Sequence, residues 1–243
     1  MDAPIASVAA VAERDAASDS GADESRSEPR LEPRWPVALA VSAFIVLTVG
    51  LRLLVPRRQS LGPHWVVPTI EMVLLAVLVA AHPATPRERA RLRRLSIGLS
   101  GLLAASALVS TVLLIYELVT GSDVTNSADS LLASGTLVWV GNALIFGLLY
   151  WQLDSGGPLA RHRGLRQYPD FAFTQQLSPE LAPPGWRPRY VDYLVLGFTT
   201  STAFSPTDVM PMAPWAKLAM ALQSLISLTV VGLVIARAVN VFS

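Results

Sequence analysis

The residues best suited to chemistry lie in one hydroxyl-rich stretch near the carboxyl terminus. Six serine and threonine side chains fall between residues 199 and 207, and Asp208 follows them directly. Grouped oxygen atoms of this kind attract cations, and rings of acidic side chains are a common device in cation channels. Asp208 is therefore a candidate cation-binding carboxylate, with a structural role as a helix cap or ion-pair partner as the alternative.

The sequence contains no motif of an enzyme. It has no cysteine, and its three histidines, His64, His82 and His162, have no metal-ligand spacing. A G-x-S-x-G turn, a phosphate-binding glycine loop and an H-E-x-x-H pair are all absent. We therefore expect a protein that is not an enzyme and that has no cofactor or metal of its own.

The composition indicates an integral membrane protein. Of 243 residues, 52% are hydrophobic and only 15% are charged, whereas soluble domains average about 25% charged residues. The net charge of +1 excludes a strongly basic nucleic-acid-binding chain. The lipid bilayer is therefore the first expected partner.

Five apolar segments are long enough, or nearly so, to cross a bilayer as helices. About 20 apolar residues span the roughly 30 Å hydrocarbon core. Four tryptophans lie near the ends of these segments, where indole rings favour the headgroup level. We predict an all-α, polytopic fold with spanning helices over residues 35–55, 65–83, 95–116, 130–153 and 214–236.

A sixth apolar segment is too short to span. Between Asp192 and Asp208 it has 15 uncharged residues, which correspond to a helix of about 22 Å. Pro206 interrupts the segment, and irregular backbone inside a membrane needs cover from protein or from a water-filled cavity. The pattern predicts a re-entrant helix over residues 190–202, with a short interfacial helix as the alternative.

Three polar side chains lie inside the apolar segments. A carboxylate within the bilayer is costly, which makes Glu71 a functional candidate unless it lies at the interface. Asn142 and Gln223 are expected to form hydrogen bonds between helices. Asp192 lies at the start of the short helix, where an acid suits the helix dipole, so we expect a structural role for it.

The first 34 residues differ from the rest. They contain eight acidic residues, four arginines and no aromatic residue. Such a segment has too little apolar surface to offset the entropy of ordering. We predict a disordered acidic tail over residues 1–34, followed by a three-helix peripheral membrane domain over residues 35–121.

The carboxyl-terminal half resembles the pore module of tetrameric potassium channels. The channel pattern F-T-T-x-T-T-V-G-Y-G-D aligns without a gap with F-T-T-S-T-A-F-S-P-T-D at residues 198–208. The resemblance implies a pore module over residues 129–243. Its parts would be an outer helix at 130–153, a linker at 154–189, a short helix at 190–202, a filter-like stretch at 203–208 and an inner helix at 213–240.

The filter-like stretch departs from the channel pattern where selectivity arises. Potassium filters align backbone carbonyls, and their glycines adopt angles that other residues avoid. Ser205 and Thr207 replace those glycines, and Pro206 replaces the tyrosine between them. The predicted pore is therefore weakly selective among monovalent cations. The candidate pore residues are Thr202, Ala203, Phe204, Ser205, Pro206, Thr207 and Asp208.

A second resemblance covers more of the chain. The sequence is similar to a bacterial inner-membrane family, domain of unknown function 1345, which has five apolar helices and a carboxyl-terminal polar block. The linker motif Y-P-D-F at residues 168–171 also resembles that family. The resemblance implies a multi-pass protein of the bacterial cytoplasmic membrane. The matching block consists of Asp192, Phe198, Thr199, Phe204, Thr207, Asp208 and Val209.

One pore loop in each chain predicts an oligomer. Several copies are needed to enclose a pore, and four around a closed axis is the simplest arrangement. The expected function is a cation-conducting homotetramer. The alternatives are a non-conducting scaffold or accessory subunit with a degenerate pore fold and, less favoured because no inverted repeat is visible, a small transporter.

Two arguments about orientation conflict. With a cytoplasmic amino terminus, 15 arginine and lysine residues lie inside and 4 outside, which agrees with the positive-inside rule. The same orientation puts the re-entrant loop on the cytoplasmic side, opposite to potassium channels. A full sixth span at 190–210 would remove the re-entrant loop and bring both termini inside. We favour the charge count.

Overall fold

The computed structural model describes residues 35–54, 66–80, 86–120, 128–202 and 208–242. The predicted acidic tail and residues 203–207 of the filter-like stretch lie outside these ranges. The described part is mostly helical. Its long helices are α1 (Trp35–Leu54), α2 (Val66–Ala80), α3 (Pro86–Thr120), α4 (Ala128–Leu153) and α8 (Pro214–Phe242).

Shorter elements lie between α4 and α8. Two 3-10 turns occur there, at Asp154–Gly156 and Pro179–Leu181. The remaining elements are α5 (Pro158–His162), β1 (Phe171–Phe173), α6 (Thr174–Leu177), α7 (Tyr190–Ser201) and β2 (Val209–Pro211).

Three described helices are long and apolar enough to cross a membrane: Ala90–Thr120 in α3, Asp129–Gly156 at α4, and Pro214–Val239 in α8. The described structure therefore supports three of the five predicted spanning helices. The apolar part of α1 is the shorter Trp35–Gly50. The described part of α2 has 15 residues, a length of about 22 Å.

Helix α4 lies at the centre of the bundle. Of its apolar segment 61% is buried, against 22% for α3 and 28% for α8. It packs against α1, α3, α7 and α8. A central helix needs apolar residues on all sides, which explains why residues 130–153 carry no charge.

Helices α1, α3 and α8 run antiparallel to α4. In α1, Phe44 lies against Gly141 and Gly50 lies against Leu137. In α3, Ser96 Oγ accepts a hydrogen bond of 3.0 Å from Gln152 Nε2. The amino-terminal ends of these helices therefore share one end of the bundle with the carboxyl end of α4, which we call the linker end.

The segment predicted as a polar linker, 154–189, is folded against the bundle. Strands β1 and β2 form an antiparallel pair with Phe171 opposite Pro211 and Phe173 opposite Val209. The rings of Phe171 and Trp215 are 5.5 Å apart at their centroids. The aromatic face of β1 is buried, so its removal from water holds the linker on the bundle.

Candidate functional site

Helix α7 runs along the carboxyl-terminal half of α4 and ends near its middle. At its start, the rings of Tyr190 and Trp151 are 5.9 Å apart. At its end, Trp139 Nε1 donates to the Ser201 carbonyl at 3.2 Å. With 12 residues the helix is about 18 Å long, so α7 extends from the linker end only partway along α4.

Two glycines allow the backbones of α4 and α7 to touch. A Cβ atom on Gly197 would lie 2.5 Å from the Ala143 carbonyl oxygen, and one on Gly147 would lie 3.0 Å from the Tyr193 carbonyl oxygen. Small residues permit this approach between helices in lipid. The position of α7 therefore depends on the absence of side chains at these two residues.

After α7 the chain returns to the linker end. The backbone N–H of Thr174 donates to the Asp208 carbonyl at 3.1 Å, and β2 pairs with β1. The Phe171 ring of β1 is 5.1 Å from that of Tyr150, near the end of α4. Ser201 and Val209 therefore lie at different positions along α4, Ser201 near its middle and Val209 at its carboxyl end.

A buried set of polar groups, the amide cluster, joins α4, α7 and α8. Gln223 is completely buried. Its Oε1 accepts from the Tyr150 hydroxyl at 2.6 Å, and its Nε2 donates to the Gly197 carbonyl at 2.6 Å and to Ser201 Oγ at 2.8 Å. Asn142 Nδ2 donates to the backbone carbonyl of Gln223 at 3.4 Å.

The last carbonyls of α7 are bonded by side chains of the same chain. Ser224 Oγ donates to Thr200 O at 3.2 Å, and Ser227 Oγ donates to Ser201 O. Without such partners a helix end in a dry interior is costly. The carboxyl end of α7 is therefore satisfied and fixed inside the subunit.

A second buried set, the carboxylate cluster, closes the linker end. Asp154 directly follows α4 and is 1% exposed. Its Oδ1 accepts from the backbone N–H groups of Asp170 and Phe171 at 3.1 and 3.2 Å, and its Oδ2 accepts from the Tyr193 hydroxyl at 2.5 Å. One carboxylate thus connects α4, β1 and α7, a role that suits its several lone pairs.

Arg161 compensates the charge of this cluster. Its guanidinium donates to the carbonyls of Trp151 and Asp154 at 2.6 and 2.9 Å, and lies 4.8 Å above the Tyr193 ring. Burial raises the pKa of the Tyr193 phenol, while Arg161 acts in the opposite direction. The phenol therefore keeps its proton at neutral pH and serves as the donor to Asp154.

The structure brings only some of the predicted site residues together. Asn142 and Gln223 meet in the amide cluster, as expected of interhelical hydrogen-bond formers. Thr202 directly follows α7, and its hydroxyl donates to Thr199 O at 2.7 Å.

The other predicted site residues lie elsewhere. Asp208 is exposed beside β2. Glu71 is buried on α2, and neither cluster includes it. The predicted filter residues Ala203, Phe204, Ser205, Pro206 and Thr207 lie outside the described ranges.

Asp192 has the structural contact expected of an acid at the start of α7, because its Oδ2 accepts from the Arg189 backbone N–H at 2.7 Å. Sequence reasoning missed the carboxylate cluster and Tyr150. One signal was available: Asp154 is the first charge after 24 uncharged residues, at the point where α4 must end. Its partners could not be read in the same way, because Tyr193 is 39 positions away.

Within the described ranges, no group of three or more His, Cys, Asp or Glu side chains could hold a metal ion. No protein-family model, no curated protein and no solved structure matches the chain.

Proposed function

We propose that the chain is the subunit of a homotetrameric, weakly selective cation pore in a bacterial cytoplasmic membrane. The observation that carries the proposal is the course of α7 and β2: a half-length helix starts at the linker end, stops near the middle of α4 and is followed by a return to that end. The pore module of potassium channels has the same order of elements: an outer helix, a half-length helix, a return segment and an inner helix.

In this proposal the chain has five spanning helices and one re-entrant helix. Helices α1 and α2 are the two additional spans, and α7 enters from the linker end. The two glycines on α4 and α7 support this arrangement, since they let a short helix pack deep in the bundle. The amide cluster supports it as well, because a polar helix end inside a membrane needs partners from its own protein.

Cations are the proposed permeant species. The carboxyl end of a helix carries a partial negative charge, and α7 directs that end toward the middle of the bundle. Thr202 adds a hydroxyl there, and Asp208 adds an exposed carboxylate on the return path. The helix end and the Asp208 carboxylate both attract positive charge. Neither depends on the glycine-based carbonyl ladder that potassium filters need.

A non-conducting membrane scaffold is the second candidate. The observation in its favour is that carbonyls near the end of α7, those of Gly197, Thr200 and Ser201, are bonded within the subunit. Carbonyls used in this way cannot also replace the water around an ion. Ion flux in liposomes decides between the two candidates: flux supports the pore, and its absence from a folded, reconstituted protein supports the scaffold.

Asp208→Asn is expected to reduce cation flux, most strongly at low ionic strength. The carboxylate acts on ions at a distance, and salt shortens that distance from about 30 Å at 0.01 M to about 10 Å at 0.1 M. Bilayer recordings with potassium and sodium provide the measurement, and the wild type should discriminate poorly between the two ions.

Asp129→Asn is the matched control, because Asp129 is an exposed acid at the opposite end of α4. Equal flux from the Asp208 variant and the wild type would contradict the role given to Asp208. A strong preference for potassium would contradict our interpretation of residues 203–207.

We expect native mass spectrometry of the protein in mild detergent to give the mass of a tetramer. Val191, Val195 and Phe198 form an exposed apolar row on α7, and neighbouring subunits would cover it. Val195→Trp should therefore shift the balance toward monomer by about 1–3 kcal/mol, the usual cost of overfilling a packed contact.

Val112→Trp is the control for this prediction. Val112 is similarly exposed on α3, where lipid accommodates a larger ring. A wild-type protein that stays monomeric at every detergent concentration would defeat the pore proposal.

A further inference from the structure

Arginines from three separate segments lie around α5 at the linker end. From α3, Arg93 Nη2 donates to the Gly156 carbonyl at 2.6 Å. Arg166, in the segment after α5, lies beside the same glycine. Its Nε atom is 3.6 Å from the position that a Cβ atom on Gly156 would occupy. From the segment before α7, Arg187 donates to the His162 carbonyl. Together with exposed Arg163, these residues form what we call the arginine surface.

The positive charge of this surface is poorly compensated. Arg93 and Arg187 bond to neutral backbone carbonyls rather than to carboxylates. Arg166 lies 3.7 Å from Asp170 but is 57% exposed, so water weakens that pair. No ion pair joins Arg163 to an acidic side chain among the described residues. A surface of this kind attracts anions.

Exposed leucines border the arginine surface. Leu153, Leu159 and Leu165 are 43%, 38% and 68% exposed. Arg163 lies between Leu159 and Leu165 in the chain, and Arg166 directly follows Leu165. A free phosphate ion gains nothing from neighbouring leucines. A phospholipid gains from both groups, because its headgroup carries the negative charge and its acyl chains meet the apolar side chains.

We propose that the arginine surface binds the headgroups of anionic phospholipids such as phosphatidylglycerol. Guanidinium groups bind phosphate through two parallel hydrogen bonds, and each arginine near an anionic membrane strengthens binding about fivefold. The site requires membrane insertion with the linker end at the headgroups, and it does not depend on ion conduction. It would also orient the chain, since anionic lipids hold basic segments at the cytoplasmic leaflet.

Quenching of tryptophan fluorescence by brominated lipid tests the proposal. The full chain is reconstituted with brominated phosphatidylglycerol or brominated phosphatidylcholine, and the relative affinity is measured from the quenching. Arg163→Gln combined with Arg166→Gln should lower the preference for phosphatidylglycerol roughly 25-fold, about fivefold for each arginine. Arg163→Lys with Arg166→Lys, which keeps the charge but not the paired hydrogen bonds, should lower the preference less than the glutamine pair does.

The control is Arg237→Gln. Arg237 lies on α8 beyond Val234, which contacts Gly135 near the start of α4, so it belongs to the opposite end of the bundle. The preference should change by less than about twofold in this variant. A double glutamine variant that keeps the wild-type preference would overturn the proposal.

Two measurements on the wild type keep the proposal testable if the double variant does not fold. Raising sodium chloride from about 0.05 to 0.5 M should weaken the preference for phosphatidylglycerol, because salt screens exposed charges. A preference that is insensitive to salt would overturn the proposal. Inorganic phosphate that displaces the lipid at equal concentration would identify a soluble-anion site instead, which also overturns it.

Discussion

Gly197→Ala is expected to destabilise the protein by about 2–3 kcal/mol, because the new Cβ overlaps the backbone of α4. The new Cβ atom would lie 2.5 Å from the Ala143 carbonyl oxygen and 2.9 Å from the backbone nitrogen of Gly147. Backbone atoms on a central helix cannot rotate aside as a side chain can. Helix α7 must therefore move away from α4, and the bonds from Gln223 to α7 must lengthen or break.

Gly232→Ala is the matched control for this substitution. Gly232 also lies in a helix, and a Cβ there would meet no atom within 4 Å. Alanine favours the helix over glycine by about 1 kcal/mol, so this variant should be as stable as the wild type or slightly more stable. Thermal unfolding in detergent gives both values. A Gly197→Ala protein that is no less stable than Gly232→Ala would show that α7 does not pack against α4 as described.

Gln223→Leu is expected to cost about 2–4 kcal/mol, although leucine is the more apolar side chain. Interhelical hydrogen bonds in membranes average only about 0.6 kcal/mol, so the lost bonds alone explain a small part of this. The larger part comes from the buried groups that lose a partner, at about 1–3 kcal/mol each. They are the Tyr150 hydroxyl, the Gly197 carbonyl and the Ser201 hydroxyl.

Gln167→Leu is the control, because Gln167 is exposed in the linker. The same chemical change there should alter stability by less than about 0.5 kcal/mol. Tyr150→Phe combined with Gln223→Leu adds a sharper measurement. Because the phenylalanine removes the orphaned hydroxyl, the double variant should be more stable than the sum of the two single effects. Purely additive effects would mean that the two side chains do not interact.

Several predicted helix boundaries agree with the structure within two residues, because they depend only on residues that are neighbours in the sequence. A spanning helix is recognised by the length of its uncharged run, and the predicted outer helix at 130–153 corresponds to Ala128–Leu153 in the structure. The short helix predicted at 190–202 corresponds to Tyr190–Ser201. The polar side chains Asn142 and Gln223 stood out against apolar neighbours, and such residues seek a partner on another helix.

Other features depend on parts of the chain that are far apart in sequence. Strands β1 and β2 have three residues each and carry no alternating pattern long enough to predict them. Of the segment predicted as a span at 65–83, the described part is the helix Val66–Ala80, and residues 65 and 81–83 lie outside the described ranges. The count of five spans rested on apolar length, and the structure supports that length for α3, α4 and α8 alone.

The sequence by itself determined that the chain is mostly helical and has segments long and apolar enough to cross a membrane, because composition and apolar run length depend only on neighbouring residues. Only the tertiary structure decided which helix is central and where the charges of the linker lie. Asp154 is the first residue of the segment predicted as a linker, and the structure shows that it is buried and binds Tyr193 and β1. A carboxylate can be buried only where donors from several segments converge, and that convergence is a property of the packed chain.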